Sequence, residues 1–510
     1  MTAPVRFKIK GTSVYVRPAT AAYSGAGQGP RLSRWNPSGG GPNGLLSSSV
    51  GTLRARSREA VRDVGYAEAG VETLVSNIIG TGIKPQFTTP DAQFNRELAE
   101  AFLEWTDESD AEGRLDFYGQ QALAVRSMIE GGDMFARMRT RRAEDGLSVP
   151  LQIQLLEAEY VPEDKNTGGT GNNVVRCGVE FDSIGRPFAY HMHKTHPNDG
   201  PYFAVMGPAQ TIPVPASEVA HLASLRRPGQ VRGEPWLTRA LVKLHDLDKY
   251  DDAQLVRQQI AALFTGFVTD DGDDAGDEGD LFGGEVGDDF VELASLEPGT
   301  MQVLPRGKNV NWSAPPSPGD SYADFVRQQL RSVAVSLGTL YEQLTGDYST
   351  INDRTFRAAL NEFRRRCAMW QHHLVVYQFC RPILRRWAEL AILSGRVTLP
   401  SGVTLGQVAR AKWVPEGWAY IHPVQDVQAK RMEVRSGFRS RAEIVSGDGY
   451  DVEQVDAEIA SDNKRSDKLG LVFDTDARQV SGSGVTQARP AGSKVPGSID
   501  DFDQSDELEK

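Results

Sequence analysis

Phe356, Leu360, Phe363, Cys367, Trp370, Leu374 and Tyr377 recur at spacings of 4, 3, 4, 3, 4 and 3. At 3.6 residues per turn that alternation keeps one stripe of a helix apolar for about six turns. Such a segment has to pack lengthwise against another element. Arg354, Arg357, Arg364, Arg365 and Arg366 fall off the stripe, free for solvent, for phosphates, or for carboxylates such as Glu342 and Glu362. Just upstream, Thr345, Gly346, Asp347, Tyr348, Ser349 and Thr350 form a polar turn between this helix and a preceding helix-like segment. A polar loop braced between long helices suits a protein that holds a flexible contact in a fixed place.

Around this seam, 510 residues allow two to four domains. The 51 Gly and 28 Pro gather in residues 1–50, around 270–320 and in the C-terminal tail, marking loops more than core. No apolar run approaches the roughly 18 residues needed to span a bilayer, so no membrane partner is expected. The opening MTAPVRFKIKGTSVYVRPAT lacks an apolar h-region, which argues against secretion. Cys177, Cys367 and Cys380 are odd in number and widely spaced, as expected of reduced thiols inside a cell.

Charge is zoned. The net charge is −12, unlike a protein that wraps a duplex by neutralising its phosphates. Residues 269–300 hold twelve Asp and Glu and no Lys or Arg, whereas 354–386 is strongly basic.

Periodicity divides the chain. Residues 1–50 read as a mobile arm. A helix is predicted over 53–79, ended by Gly80 and Gly82, and helical spacing returns at Phe94, Leu98, Phe102 and Trp105. Met134, Ala136 and Met138 alternate with Phe135, Arg137 and Arg139, and Leu151, Ile153 and Leu155 with glutamines, predicting half-buried strands. Residues 178–181 and 187–193 flank the turn Asp182-Ser183-Ile184-Gly185 as a hairpin. A long helix is predicted from Pro235 to about Val268, then a small β-like module over 302–312, then a helix from about Tyr322. Pro382 reads as an interruption, 397–400 as a short β piece, and 424–437 and 439–460 as helices; the tail reads as disordered.

Signatures of chemistry are weak. His191, His193 and His196 could share a strand face as metal ligands, but a polar hairpin face is the better reading without a neighbouring Cys or carboxylate cluster. Cys367, His372, His373 and Cys380 fit no compact tetrahedral site. DDGDDAGDEGD fails the EF-hand spacing at Ala275 and Phe282. There is no phosphate-binding G-x-x-x-x-G-K-[ST] and no G-x-S-x-G, and Gly80-Thr81-Gly82 is no dinucleotide fingerprint. Ser217 and His221 are one Ser–His pair among many. No cofactor, metal or enzymatic activity is expected.

Several segments in register carry a resemblance: RARSREAVRDVGYAEAGVETLVSNIIGTGIKP (54–85), LLEAEYVP (155–162), GVEFDSIGRPFAYHMHKTHP (178–197), RPGQVRGEPWLTRAL (227–241) and LYEQLTGDYSTINDRTFRAALNEFRR (340–365). HPVQDVQA (422–429) and GFRSRAEIVSGDGYD (437–451) extend it. The chain resembles the portal proteins of tailed bacteriophages, lambda-type family. The resemblance implies an α+β portal fold assembling as a ring, typically of twelve subunits, at one capsid vertex. It implies a mobile arm (1–50), a wing (51–234), a first stem helix (235–268), a clip with the acidic loop (269–320), a second stem helix (321–343), a tunnel loop (344–353), a long wing helix and β segment (354–420), a crown (421–465) and a disordered tail (466–510).

The same resemblance implies that double-stranded DNA passes through the channel without sequence specificity. Thr345, Gly346, Asp347, Tyr348, Ser349, Thr350 and Ile351 would face it, with Arg354 and Arg357 as weak phosphate contacts. Val303, Leu304, Pro305, Arg306, Lys308 and Trp312 would form the clip surface that docks the terminase large subunit and then the head–tail adaptor. Major capsid and scaffold proteins complete the expected partners, and the virion and the host cytoplasm the expected locations. The competing readings are an ATP-driven translocase or nuclease, disfavoured by the missing phosphate-binding loop, and a scaffold or adaptor, disfavoured by the helix–clip–helix order.

Overall fold

The computed structural model describes residues 34, 36–199, 211–262, 266–270, 308–312, 322–418, 423–473, 476 and 478, together with two strands near the N-terminus. Those strands, β1 (Val5–Ile9) and β2 (Thr12–Val16), pair antiparallel. With the short helix α1 (Pro42–Ser47) they show regular structure inside the stretch read as a mobile arm. Most of the rest of that arm, and of the tail, lies outside the described residues.

The helix expected over 53–79 is two helices, α2 (Val50–Asp63) and α3 (Gly65–Ile78). Val64 breaks them with an extended backbone, φ −112° and ψ 109°. A β-branched residue followed by glycine is a weak point in a helix, and the bend turns both apolar faces into one core. Strand β3 (Lys84–Gln86) precedes α4 (Ala92–Glu108), whose N-terminus is capped by Asp91 accepting from the amides of Gln93 and Phe94. Asp116 caps α5 (Phe117–Gly131) in the same way through the Gly119 amide. Phe94, Leu98, Phe102 and Trp105 are buried, as their spacing predicts.

Two antiparallel sheets follow, built from β4 (Asp133–Thr140), β5 (Leu151–Glu157), β6 (Val174–Arg176), β7 (Val179–Phe181), β8 (Pro187–His193), β9 (Thr211–Pro215) and β10 (Val219–Ala223). One has the order β10-β4-β5 and the other β6-β7-β8-β9. The predicted hairpin is present: the Asp182 carboxylate accepts from the amides of Ile184 (3.0 Å) and Arg186 (2.8 Å). β4 departs from a half-buried strand. Met134, Ala136 and Met138 face the helices, but Phe135 on the opposite face is equally buried against Tyr190, Met192 and Val214. The second sheet covers the face that alternation assigned to solvent.

A turn at Trp236–Arg239 leads into α6 (Leu241–Ala262). The stretch read as helix up to Val268 ends in a strand instead, β11 (Gly266–Asp270), paired antiparallel with β12 (Lys308–Trp312). Gly266 followed by Phe267, Val268 and Thr269 has strand preference, and the partner strand realises it. Helices α7 (Tyr322–Leu337), α8 (Tyr341–Thr345) and α9 (Asp353–Trp370) follow.

After α9 the helix continues as a π-helical segment, Gln371–Cys380, and then as α10 (Arg381–Leu393). Pro382 therefore does not interrupt it: wider bonding, in which the Arg381 amide reaches the Val376 carbonyl, precedes the proline, which sits in the first turn of α10. The π segment also shifts the apolar stripe. Phe363 and Cys367 are buried as expected, but the stripe then passes through Gln371, Val375 and Phe379, leaving Tyr377 64% exposed.

The short helix α11 (Leu405–Val408) and strand β13 (Lys412–Val414) come next. The β piece expected at 397–400 is absent: those residues are irregular, and the strand of this region is β13, which pairs with β3. Helix α12 (Pro423–Arg435) matches its expectation. The helix expected over 439–460 is split into α13 (Arg441–Gly447) and α14 (Val452–Leu469), because Gly449 turns with φ +89° and Asp451 caps a new start.

The main core joins distant parts of this order. Phe102 and Trp105 of α4, Phe117 of α5, Phe379 and Trp387 of the long helix and Trp413 of β13 form one aromatic cluster. The long helix is thereby anchored at its C-terminal half, and its N-terminal half projects toward the polar loop. Among the described residues no helix is long and apolar enough to cross a membrane.

Candidate functional site

The polar loop is held at both ends. On the entry side, Gly338 ends α7 with φ +85°, and its carbonyl accepts from Arg366 Nη1 at 2.7 Å. A guanidinium at a helix C-terminus satisfies an orphan carbonyl and favours the dipole. Leu344 of α8 is buried, and the Gln343 carbonyl accepts from Thr73 Oγ1 (3.3 Å). Gly346 closes α8 in the left-handed region, φ +68°. On the exit side the Asn352 side chain caps α9 by accepting from the Arg354 amide at 3.0 Å.

Between these ends, Asp347 organises the turn. Its carboxylate accepts from the Ser349 hydroxyl (2.5 Å), the Ser349 amide (3.1 Å) and the Tyr341 hydroxyl (3.3 Å). The Ser349 bonds chiefly hold it below the usual carboxylate range, so it stays anionic. Tyr348 is 53% exposed, its ring edge-to-face with Phe356 at 5.9 Å. Phe356, the first member of the seam, thus supports the loop. Ser349 and Thr350 are exposed and Ile351 half-buried.

The arginines behind the loop have separate fates. Arg357 pairs with Asp353 one turn earlier, a partner other than the expected Glu342 or Glu362. Arg364 lies over the Trp418 ring at 5.2 Å, and Arg366 caps α7. Arg354 and Arg365 are exposed with no side-chain partner among the described residues. The loop therefore carries an anion at Asp347 and an unpaired cation at Arg354.

The other sequence candidates divide. Lys308 and Trp312 stand at opposite ends of β12, across from Asp270 and Gly266, while 303–306 lie outside the described residues. Cys367 and Cys380 are buried and His372 and His373 exposed, so the four do not share a face. His191 bonds Glu180 at 3.0 Å. The structure does bring carboxylates to His196: it and Glu157 and Glu159 place their ligand atoms within 4.8 Å of one another. Arg58, however, reaches Glu157 (3.2 Å) and Glu159 (2.5 Å), supplying the positive charge a cation would bring.

Sequence reasoning missed a buried ionic hub. Asp133, at the start of β4, takes Arg232 Nε at 2.5 Å, His221 Nε2 at 3.3 Å and Arg54 Nη2 at 3.6 Å. Arg232 also donates to the carbonyls of Val161 (2.7 Å) and Ala158 (2.8 Å), and Arg54 to that of Gly131 (3.0 Å). Burial pushes the Asp133 pKa up, but the Arg232 charge and the bonds from His221 and Arg232 outweigh it and hold the carboxyl well below its ordinary range. His221 thus serves this hub and not a Ser217 nucleophile. These residues are far apart in sequence and off any periodic pattern: Arg54 and Arg232 fall in segments 54–85 and 227–241, while Asp133 and His221 fall in none of the segments that carry the resemblance.

The family model described as phage portal protein, lambda family, matches residues 28–371. The chain belongs to that family. It is 25% identical over 453 residues to a probable portal protein of Halomonas phage phiHAP-1, covering 86% of this chain and 85% of that one. It is 22% identical over 506 residues to portal protein B of Escherichia phage lambda, covering 92% and 94%. A chain of the neck of a native gene transfer agent particle, computed with C12 symmetry, aligns with a TM-score of 0.43 at 15% identity, covering 78% of this chain and 93% of that one. The helices and antiparallel sheets described above make the architecture α+β, and membership of the portal family gives the chain a place among virion components.

Proposed function

We propose that this portal-family chain is the repeating subunit of a ring, of twelve copies, at one vertex of the capsid. Double-stranded DNA enters through its axial channel during packaging and leaves through it during ejection. The observation that carries this reading is the polar loop 345–351, capped at both ends and braced by a helix anchored in the aromatic core. The loop faces the duplex without a phosphate-binding cluster: Asp347 repels, Arg357 is neutralised by Asp353, and Arg354 alone offers a weak contact. Low friction requires such a balance, since a ring of arginines not offset by carboxylates such as Asp347 and Asp353 would hold the backbone fast.

Val242 on α6 (69% exposed) and Val335 on α7 (80% exposed) would be covered by neighbouring subunits in the ring. In this assembly 51–234 is the wing, α6 and α7 the stem, 269–320 the clip, 354–420 the long wing helix with its β segment, and 421–465 the crown facing the capsid interior. The clip docks the terminase large subunit during assembly in the host cytoplasm, then the head–tail adaptor. Capsid and scaffold proteins meet the outer surface. The subunit has no catalytic activity of its own.

Negative-stain images of the purified protein test this reading, with twelvefold rings bearing an axial hole expected. Monomers at assembly concentrations, or solid discs, would overturn it. ATP turnover by the purified chain would overturn the non-enzymatic part.

A further inference from the structure

Helices α12 and α13 enclose an open groove of about 470 Å³ whose floor is apolar: Val427, Val434, Ile444 and Val445. Its rim is basic, with Lys430, Arg431, Arg435 and Arg441. Lys430 bonds Asp448, and Arg441 bonds Asp456 of α14. Neighbouring Glu433 and Glu443 are taken by Arg439. Arg431 and Arg435 remain exposed with no ion-pair partner among the described residues. The groove thus combines an apolar floor with two uncommitted positive charges.

The sequence supplies a matching segment. Residues 499–509, IDDFDQSDELE, contain Asp500, Asp501, Asp503, Asp506, Glu507 and Glu509 around Ile499, Phe502 and Leu508, and lie outside the described residues. We propose that this C-terminal segment docks in the α12–α13 groove, its apolar side chains on the valine and isoleucine floor and its carboxylates on Arg431 and Arg435.

Tether length permits it. α13 packs on α14, and α14, 18 residues or about 27 Å long, ends at Leu469. Residues 474–498 are rich in Gly, Ser and Pro, and the root-mean-square reach for a stretch of that length and composition, about 25–30 Å, is enough to return along α14. The other acidic stretch, 269–300, is tied at both ends to the β11–β12 pair and not to α14. An apolar floor also suits a peptide better than a duplex, whose phosphates would leave it uncovered. This inference stands whether or not the ring reading holds.

Two experiments on the full-length protein test it. With a photoreactive benzoylphenylalanine in place of Phe502, crosslinks are expected to map to α12 and α13, in the same or an adjacent copy. Arg431→Glu with Arg435→Glu should reduce them about tenfold, the combined effect of two exposed ion pairs. In deuterium exchange, a chain ending at residue 497 should exchange faster in α12 and α13, and a synthetic peptide of residues 498–510 should restore protection. Crosslinks elsewhere only, crosslinks indifferent to the charge reversal, or no effect of the peptide would each overturn the proposal. Protection that follows ring assembly or added duplex, but not residues 498–510, would assign the groove to a neighbouring copy or to DNA and overturn it equally.

Discussion

Leu337 of α7 lies on the bare backbone of Gly70 in α3, its Cδ1 only 2.6 Å from where a β-carbon would stand. Leu344 of α8 approaches the same point to 3.1 Å. The two helices that deliver the polar loop therefore rest on one glycine, and close approach here requires the absence of a side chain.

Gly70→Ala sets a helix-propensity gain of about 1 kcal/mol against overpacking of about 1–3 kcal/mol. The expected outcome is a net loss, larger for Gly70→Val, measured by denaturant unfolding. A rise in stability for both variants would show that α7 and α8 are not seated on α3 in this way.

Asp133 makes stability depend on pH with a definite sign. Its folded pKa is depressed, so its contribution is complete above the unfolded value, about 3.9, and is lost as pH falls from there toward the folded value. Asp133→Asn leaves Arg232 and Arg54 facing a neutral amide in the interior and should cost about 3–5 kcal/mol at pH 7. The variant's Tm should also fall less steeply than that of the wild type below about pH 4. Equal slopes would remove Asp133 from the acid transition.

Burial raises all three thiols, Cys367 to about 12 and Cys177 and Cys380 also upward. Since the thiolate is the reactive form, an aromatic disulfide reagent should titrate none of the three in the native protein and all three in denaturant. Rapid native labelling would contradict this burial.

At the loop, Tyr348→Ala removes one edge-to-face contact and should cost no more than about 1.5 kcal/mol. Arg354→Glu alone should reproduce most of the packaging defect of the double change with Arg357→Glu, because Asp353 already neutralises Arg357. Packaged DNA length and packaging rate are the readouts. Wild-type values for the double variant would eliminate both arginines as phosphate contacts.

Much of the fold was legible where burial is one-sided. The α4 stripe, the 182–185 hairpin, α7, and the seam at Phe363 and Cys367 follow from period alone. The failures have local causes. Tyr377 left the core because the π segment shifts the helical phase, and Phe135 entered it because a second sheet covers its face. β11 needed a partner strand some forty residues away to override its helical reading. The loop was legible as a polar turn, but which arginine stays unpaired was not: Asp353 competes with Glu342 and Glu362 for Arg357, and only the geometry decides.

We propose that residues 345–351 line the narrowest part of the ring's channel, which a cryo-electron-microscopy map of the purified oligomer would reveal. The expected map is a ring in which the loop from every subunit converges on the axis, with Tyr348 and Asp347 facing the opening. A ring whose axis is lined by other elements, with 345–351 on the outer perimeter, would contradict it.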